Sequence, residues 1–152
     1  SVHVDSVAAA YSIFIDSSIA IREAGDDTEA DLSSPEISLA ARAAIGSSAS
    51  ALEISGAELR LAAQSDSGGV RLLALDSVIV TTQAELSGLS ITNSDGTAAP
   101  AVLELISTGA ITIEADVHNN SAGDVRLLAD GGECKLIVNL ENLSGLTLIR
   151  EE

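Results

Sequence analysis

Leu59 to Val80 read LRLAAQSDSGGVRLLALDSVIV, and this stretch decides the fold. It holds three short runs in which apolar side chains recur at every second position, namely Leu59-Arg60-Leu61, Val70-Arg71-Leu72 and Val78-Ile79-Val80. A period of two places successive side chains on opposite faces of a β-strand. The residues between the runs, Ser-Asp-Ser-Gly-Gly and Asp-Ser, are typical of turns. The stretch therefore predicts short strands joined by brief polar corners.

The same rhythm recurs along the rest of the chain, with further alternating runs at Leu103-Glu104-Leu105, Ile111-Thr112-Ile113 and Leu136-Ile137-Val138. Longer segments are also echoed. Gly69–Ala74 resembles Asp124–Ala129, Leu86–Ile91 resembles Leu143–Leu148, and Leu52-Glu53-Ile54 resembles Leu103-Glu104-Leu105. Repeats of short strands are typical of sheet-built solenoids. The sequence predicts an all-β fold, a parallel β-helix (β-solenoid) of about six to eight coils. It would be a single segment over 1–152, with a less regular part at 1–35 and a repeat region at 36–150.

The composition fits a narrow, regular interior. Apolar residues make up 46% of the chain but aromatic residues only 1%, and Tyr11 and Phe14 are the only two. Without rings to fill irregular volumes, the core must consist of Leu, Ile, Val and Ala. The side chains predicted to share this core are Leu59, Leu61, Val70, Leu72, Val78, Val80, Leu103, Leu105, Ile111, Ile113, Leu136 and Val138.

Two stretches leave the secondary structure open. Ser33-Ser34-Pro35-Glu36, followed by an Ala-rich run to Ile45, carries a helix start signal. Within that run, however, Ile37-Ser38-Leu39 alternates like the strands elsewhere. Ala8–Ala10 is also compatible with a helix.

The strong negative charge disfavours polyanionic binding partners. The net charge is −16, from 23 carboxylates and 7 basic residues. Such a surface repels phosphate backbones and anionic lipids. No apolar run approaches the length of a membrane span. We therefore expect neither nucleic-acid binding nor membrane insertion.

At the level of rhythm, the chain resembles the haemagglutinin-like repeats of large bacterial exported adhesins, the filamentous-haemagglutinin class. The residues that carry the likeness are Ile37-Ser38-Leu39, Ala44-Ile45-Gly46, Leu52-Glu53-Ile54, Leu59, Leu61, Gly68-Gly69-Val70 and Val78-Ile79-Val80. The likeness covers roughly 36–150 and includes no active-site motif. It implies a right-handed parallel β-helix, export, and adhesion or a surface filament. This chain departs from the family in its strong acidity and in its less regular first third.

An acidic segment suggests a metal site. Five carboxylates lie close together in the sequence, at Glu23, Asp26, Asp27, Glu29 and Asp31. Calcium takes hard oxygen ligands of this kind. The spacing is not that of an EF-hand, and a solvated acidic loop is the alternative. Calcium is the one cofactor that the sequence suggests.

Other chemistry-bearing residues are sparse. His3, His118 and Cys134 are too few for a zinc or histidine-based site, and alternation points Cys134 inward as a small core thiol.

Arg60, Arg71 and Arg126 should point outward and meet Glu53, Glu58, Glu85 or Glu104 on neighbouring coils. Five further aspartates follow turn positions and are expected to cap them: Asp66, Asp76, Asp95, Asp116 and Asp130.

The sequence favours a non-catalytic structural or adhesive segment of an extracellular or cell-surface protein or fibre. Its expected partners are itself or neighbouring repeats, end to end, and surface glycans or host and cell-surface proteins. One alternative is a self-assembling filament subunit. Another is a fragment of a carbohydrate-active β-helix enzyme, with the turn aspartates as its acids.

Overall fold

The computed structural model describes residues 1–136 and 146–151, and every regular element in those ranges is a β-strand. The strands are β1 (Val2–Val4), β2 (Val7–Ala8), β3 (Ser12–Ser17), β4 (Ile21–Glu23), β5 (Leu32–Ser33), β6 (Glu36–Ala41), β7 (Leu52–Ser55), β8 (Leu59–Ser65), β9 (Val70–Ala74), β10 (Val78–Val80), β11 (Thr82–Gln83), β12 (Leu86–Ser87), β13 (Leu89–Ile91), β14 (Leu103–Ser107), β15 (Ile111–Ile113), β16 (Val117–Asn119), β17 (Val125–Asp130), β18 (Cys134–Leu136) and β19 (Leu146–Glu151).

Two sheets contain most of these strands. Sheet I has seven, in the order β19-β17-β14-β9-β7-β5-β2. Sheet II has eight, in which β8 pairs with β6, β10 and β13, and β3, β15, β16 and β18 extend the sheet outward. All pairings within both sheets are parallel, and so is the separate pair β1–β4. The hairpin β11–β12 is antiparallel. The prediction of an all-β fold with parallel pairing is confirmed.

The parallel pairings link residues from one end of the chain to the other. One register column, a set of residues joined by successive parallel pairings, runs Val2, Ile21, Ile45, Val70, Leu103, Val125 and Leu146. A second runs Ile13, Ile37, Leu61, Val80, Ile113 and Leu136. Aliphatic side chains therefore lie beside aliphatic side chains in neighbouring strands, and such cross-strand contacts stabilise sheets.

The alternation predicts the core correctly wherever the side chains are described. The ten predicted residues from Leu59 to Ile113 are each at most 1% exposed. Leu136 lies in β18, but its side chain is outside the described residues, as is the whole of Val138. Buried Leu, Ile, Val and Ala fill the core, whereas Tyr11 is 85% and Phe14 55% exposed.

The segment that left helix and strand open is a strand. Glu36–Ala41 forms β6, in which Ile37, Leu39 and Ala41 are buried. The β6 backbone pairs with β3 on one side and with β8 on the other. These two ladders override the helix start signal at Ser34-Pro35. Val7–Ala8 likewise forms β2, paired with β5.

The sequence repeats correspond only partly to structural positions. β9 and β17, which contain the repeat of Gly69–Ala74 in Asp124–Ala129, both pair with β14 in sheet I. By contrast, Leu89–Ile91 lies in sheet II and Leu146–Leu148 in sheet I, so this second likeness is not one of position. Residues 143–145 are outside the described ranges.

The interval between register partners varies. Glu104 lies 33 residues after its partner Arg71 and 22 residues before its partner Arg126. The longer interval contains the β11–β12 hairpin and the loop at 92–102. Strand β8 nevertheless pairs with β10 at its start and with β13 at its end, on either side of the hairpin. The extra residues are thus accommodated outside the parallel ladder.

Among the residues that the structure describes, no helix is long and apolar enough to cross a membrane.

Candidate metal centre

Three carboxylates converge beside sheet I, two from the acidic segment and one from a later strand. Glu23 is the last residue of β4, Asp31 directly precedes β5, and Glu53 lies within β7. Strands β5 and β7 are parallel, with Leu32 opposite Ile54, so Asp31 and Glu53 are neighbours. The Asp31 N–H donates to the Glu53 carbonyl over 2.9 Å, and the Glu53 N–H donates to Asp31 Oδ2 over 2.9 Å.

The carboxylate oxygens are close together and shielded from solvent. One oxygen from each of Glu23, Asp31 and Glu53 lies within 4.8 Å of the other two. Asp31 is 2% and Glu53 is 7% exposed. Oε2 of Glu23 and Oε2 of Glu53 are both buried without a hydrogen-bond partner. We call these three residues the acidic cluster.

The cluster disfavours its own negative charge. Burial raises the pKa of Glu53 to about 7, and the neighbouring Asp31 and Glu23 act in the same direction. Burial also raises the pKa of Asp31. Unpaired carboxylates lose solvation when buried and repel one another, which disfavours ionisation. Among the described residues, no ion pair involves any member of the cluster.

The structure divides the five residues that the sequence groups as a calcium site. Glu23 and Asp31 join the cluster, whereas Asp26, Asp27 and Glu29 are exposed. Asp27 organises the intervening loop, because its N–H donates to Glu23 Oε1 over 3.0 Å and its Oδ1 accepts from the Glu29 N–H over 2.8 Å. The five do not form one ligand set in this structure.

Glu53 is the member that the sequence grouping misses. It lies 22 residues after Asp31, so a search confined to neighbouring residues cannot find it. The signal is the strand register, since the residue before Leu32 must lie beside the residue before Ile54 once these two are paired. Alternation assigned Glu53 to the outward face, where an arginine partner was expected.

The remaining chemistry-bearing residues are dispersed. His3 is exposed and pairs in register with Arg22, while the half-buried His118 pairs with Ser90. Cys134 packs half-buried against the core, as the alternation predicts, and burial raises the pKa of its thiol.

Two of the turn aspartates cap backbone, as expected. Asp66 Oδ1 accepts from Thr92 Oγ1 over 2.6 Å and from the Ser94 N–H over 2.7 Å. Asp95 Oδ1 accepts from both the N–H and the hydroxyl of Thr97. Asp76, Asp116 and Asp130 are exposed.

The three arginines predicted to point outward form ion pairs with glutamates. Arg71 and Arg126 both bind Glu104, which is among the predicted partners. Arg60 binds Glu114 instead, at 3.6 Å.

Two open grooves are lined by residues in the described part of the chain, and neither of them holds a catalytic arrangement. One, of about 360 Å³, is lined by Ala8–Ala10, Ser33–Pro35, Gly56 and Ala57. The other, of about 350 Å³, is lined by Arg22, Arg71 and small residues, with no carboxylate among them. General acid–base catalysis needs a proton-transferring side chain such as His, Asp, Glu, Lys, Tyr or Cys at the reacting atom. The linings of these two grooves contain none of these residues.

The comparisons with known proteins assign no family. No protein-family model matches the chain, no curated protein matches it, and no solved structure matches it.

Proposed function

We propose that this chain is a β-solenoid segment with a non-catalytic, structural or adhesive role in an extracellular or cell-surface protein or fibre. The observation that carries the proposal is the register column from Val2 to Leu146, in which seven residues spread along the chain are joined by successive parallel pairings. In a solenoid each level contacts only its neighbours, so repetition provides length and a rigid face. The rhythm that resembles the filamentous-haemagglutinin class of adhesins supports the same role.

The surface chemistry supports contacts that are spread out rather than concentrated in one pocket. A net charge of −16 favours solubility and repels other polyanions. The two grooves described above are open and lined mainly by small residues. Many weak contacts along a rigid face achieve strong binding through multivalency. Surface glycans and cell-surface proteins are the partners that we propose for such a face.

Two assays test this role. The purified chain, coupled to beads at high density, should be retained on a glycan array or on cell surfaces, whereas the free chain should bind far more weakly. Incubation with a panel of polysaccharides should release no reducing ends. Hydrolysis of any one of them, at a rate that scales with protein concentration, would refute the non-catalytic role and favour a carbohydrate-active enzyme.

A self-assembling filament subunit is a second candidate, and one observation favours it. The large apolar side chains that are exposed among the described residues all lie near the start of the chain, in or beside β2 and β3. They are Val7, Tyr11, Phe14 and Ile19. Among the described strands, β2 and β3 each have a partner on one side only. An apolar edge of this kind recruits another layer, from a preceding segment or from a second copy.

Imaging distinguishes the two candidates. A subunit that assembles end to end forms fibres when concentrated, and replacing Phe14 by Lys should abolish them. A Glu36→Lys change alters the exposed start of β6 and serves as the control. Monomers at high concentration, with or without these changes, would exclude filament assembly.

A further inference from the structure

We propose that Glu23, Asp31 and Glu53 form a binding site for one divalent cation of the calcium type. The site would join the end of β4 and the residue before β5, which lie in one acidic segment, to β7, where Glu53 lies 22 residues after Asp31. It differs from an acidic surface loop, because two of its residues are nearly inaccessible to solvent and two of its oxygens have no partner.

The first argument is an internal comparison between two buried glutamates. Glu104 and Glu53 are 9% and 7% exposed, and both lie on strands of sheet I. Glu104 is neutralised by Arg71 at 3.3 Å and Arg126 at 3.0 Å. Glu53 instead has two further carboxylates beside it and no cation among the described residues. A buried carboxylate is strongly unfavourable without a counter-charge. At Glu104 the chain supplies that charge; at Glu53 a bound ion would supply it.

The second argument is the unpartnered Glu53 Oε2. Glu53 is 7% exposed, and this buried oxygen makes no hydrogen bond, as is also true of Glu23 Oε2. Buried carboxylate oxygens nearly always have a partner. Both orphaned oxygens belong to the three carboxylates whose ligand atoms converge within 4.8 Å, the one such group in the described part of the chain. A cation among them would satisfy both oxygens.

The ligand chemistry favours calcium over softer ions. Calcium takes six to eight oxygen ligands at about 2.3–2.6 Å in a flexible geometry, and three carboxylate oxygens that lie within 4.8 Å of one another can all reach one such ion. Magnesium, with bonds of about 2.1 Å, needs a tighter octahedral set. The cluster contains no nitrogen or sulfur ligand of the kind that zinc prefers. Three carboxylates leave the remaining calcium positions for water.

Binding would fix the segment between Glu23 and Asp31. That segment already returns to Glu23 through the Asp27 N–H. With both of its ends coordinated to one ion, the loop would be closed, and β4 would be tied to β5 and β7. The ion would thus stabilise the N-terminal part of the chain.

The test is calorimetric titration of the purified, chelator-treated chain with calcium chloride, and in parallel with magnesium chloride. We expect saturation at one calcium per chain, much weaker magnesium binding, and an unfolding temperature that rises with calcium concentration. Asp31→Asn and Glu53→Gln should each lower calcium affinity by roughly tenfold or more. Glu23→Gln, at the half-buried edge of the site, provides a third variant with little risk to folding.

Asp26→Asn and Glu29→Gln are the matched controls, because they remove the same charge from the same loop outside the cluster. Each should change calcium affinity by less than about twofold. Equal losses in these variants would place binding in a diffuse acidic loop and overturn the proposal. The absence of saturable binding at millimolar calcium would overturn it as well.

The effect of Glu53→Gln on the unfolding temperature, measured with and without calcium, distinguishes ion binding from a cluster that is simply protonated. Without calcium, Glu53→Gln removes a repelled carboxylate and should raise the unfolding temperature. In millimolar calcium, the same variant should unfold at a lower temperature than the parent chain. If the variant is the more stable one in both conditions, the cluster holds protons and the proposal fails.

Discussion

Arg71 and Glu104 are register partners on parallel strands, and Arg71 Nη1 donates to Glu104 Oε1 over 3.3 Å. Arg126 occupies the other oxygen, Oε2, at 3.0 Å. The Glu104 side chain is 11% exposed, so these contacts are partly shielded from solvent. The two contacts to Glu104 together join three successive strands of sheet I, β9, β14 and β17.

We expect Arg71→Gln to lower the free energy of unfolding by about 1–2 kcal/mol, because a largely buried carboxylate keeps only one of its two cations. Arg60→Gln is the matched control. Arg60 and Glu114 are 45% and 36% exposed and 3.6 Å apart, and such pairs contribute about 0–1 kcal/mol. Urea unfolding followed by circular dichroism measures both. Equal effects would contradict the distinction between the two pairs.

An acidic residue in the core should unfold the structure. Leu105 and Ile113 are fully buried among aliphatic side chains, so Leu105→Asp or Ile113→Asp should lower the free energy of unfolding by about 4 kcal/mol or more. The exposed Thr108 lies between them in sequence, and Thr108→Asp should have little effect. Thermal melts compare the three, and a stable Ile113→Asp variant would contradict the core assignment.

Gly88 should not tolerate a side chain. Its φ is +68°, and an added Cβ would lie 1.8 Å from the carbonyl oxygen of Asp116, the residue directly before β16. Gly96 has a similar φ of +72°, but nothing lies within 4 Å of the corresponding position. Gly96→Ala should therefore cost about 1 kcal/mol from backbone strain alone. Gly88→Ala should cost at least about 2 kcal/mol more, because backbone must move. Similar losses at both positions would show that the close approach is absent.

Acid should weaken the cap at Asp66. Hydrogen bonds from the Thr92 hydroxyl and from Ser94 lower the pKa of this carboxyl to about 2. A carboxyl whose pKa is depressed on folding contributes stability above its unfolded pKa, near 3.8, and loses it as the pH falls towards 2. The stability difference between the parent chain and Asp66→Asn should therefore be largest above pH 5 and shrink towards pH 2. A difference that does not vary over this range would contradict the assignment.

The strands and the core could be predicted from the sequence because alternation depends only on local order. Leu59, Leu61, Ile111 and Ile113 each lie in a run whose period alone assigns them to the interior. The helix signal near Pro35 misleads for the same reason. It reflects local preference, whereas β6 is held by partners 24 residues away on either side, with Ile13 and Leu61 flanking Ile37.

The acidic cluster could be predicted only in part, because it depends on register. Alternation assigns Glu53 and Arg71 to the outward face, and on that basis an acidic substitution at Arg71 would leave unfolding almost unchanged. The structure shows why outward does not mean exposed. Glu53 is covered beside Asp31, and Arg71 lies against Glu104. An aspartate at position 71 would face that buried carboxylate and should be clearly destabilising.

The long interval between Arg71 and Glu104 has a consequence for how such a chain can change. Strand pairing resumes in the same register after the β11–β12 hairpin and the 92–102 loop, just as it does across the shorter interval to Arg126. The register of the parallel strands therefore does not depend on the length of the segment that connects them. A foreign peptide inserted at the exposed residues 94–97 should protrude into solvent, while the strands on either side keep their register. Sequence variation, whether natural or engineered, can accumulate there without being transmitted to the core.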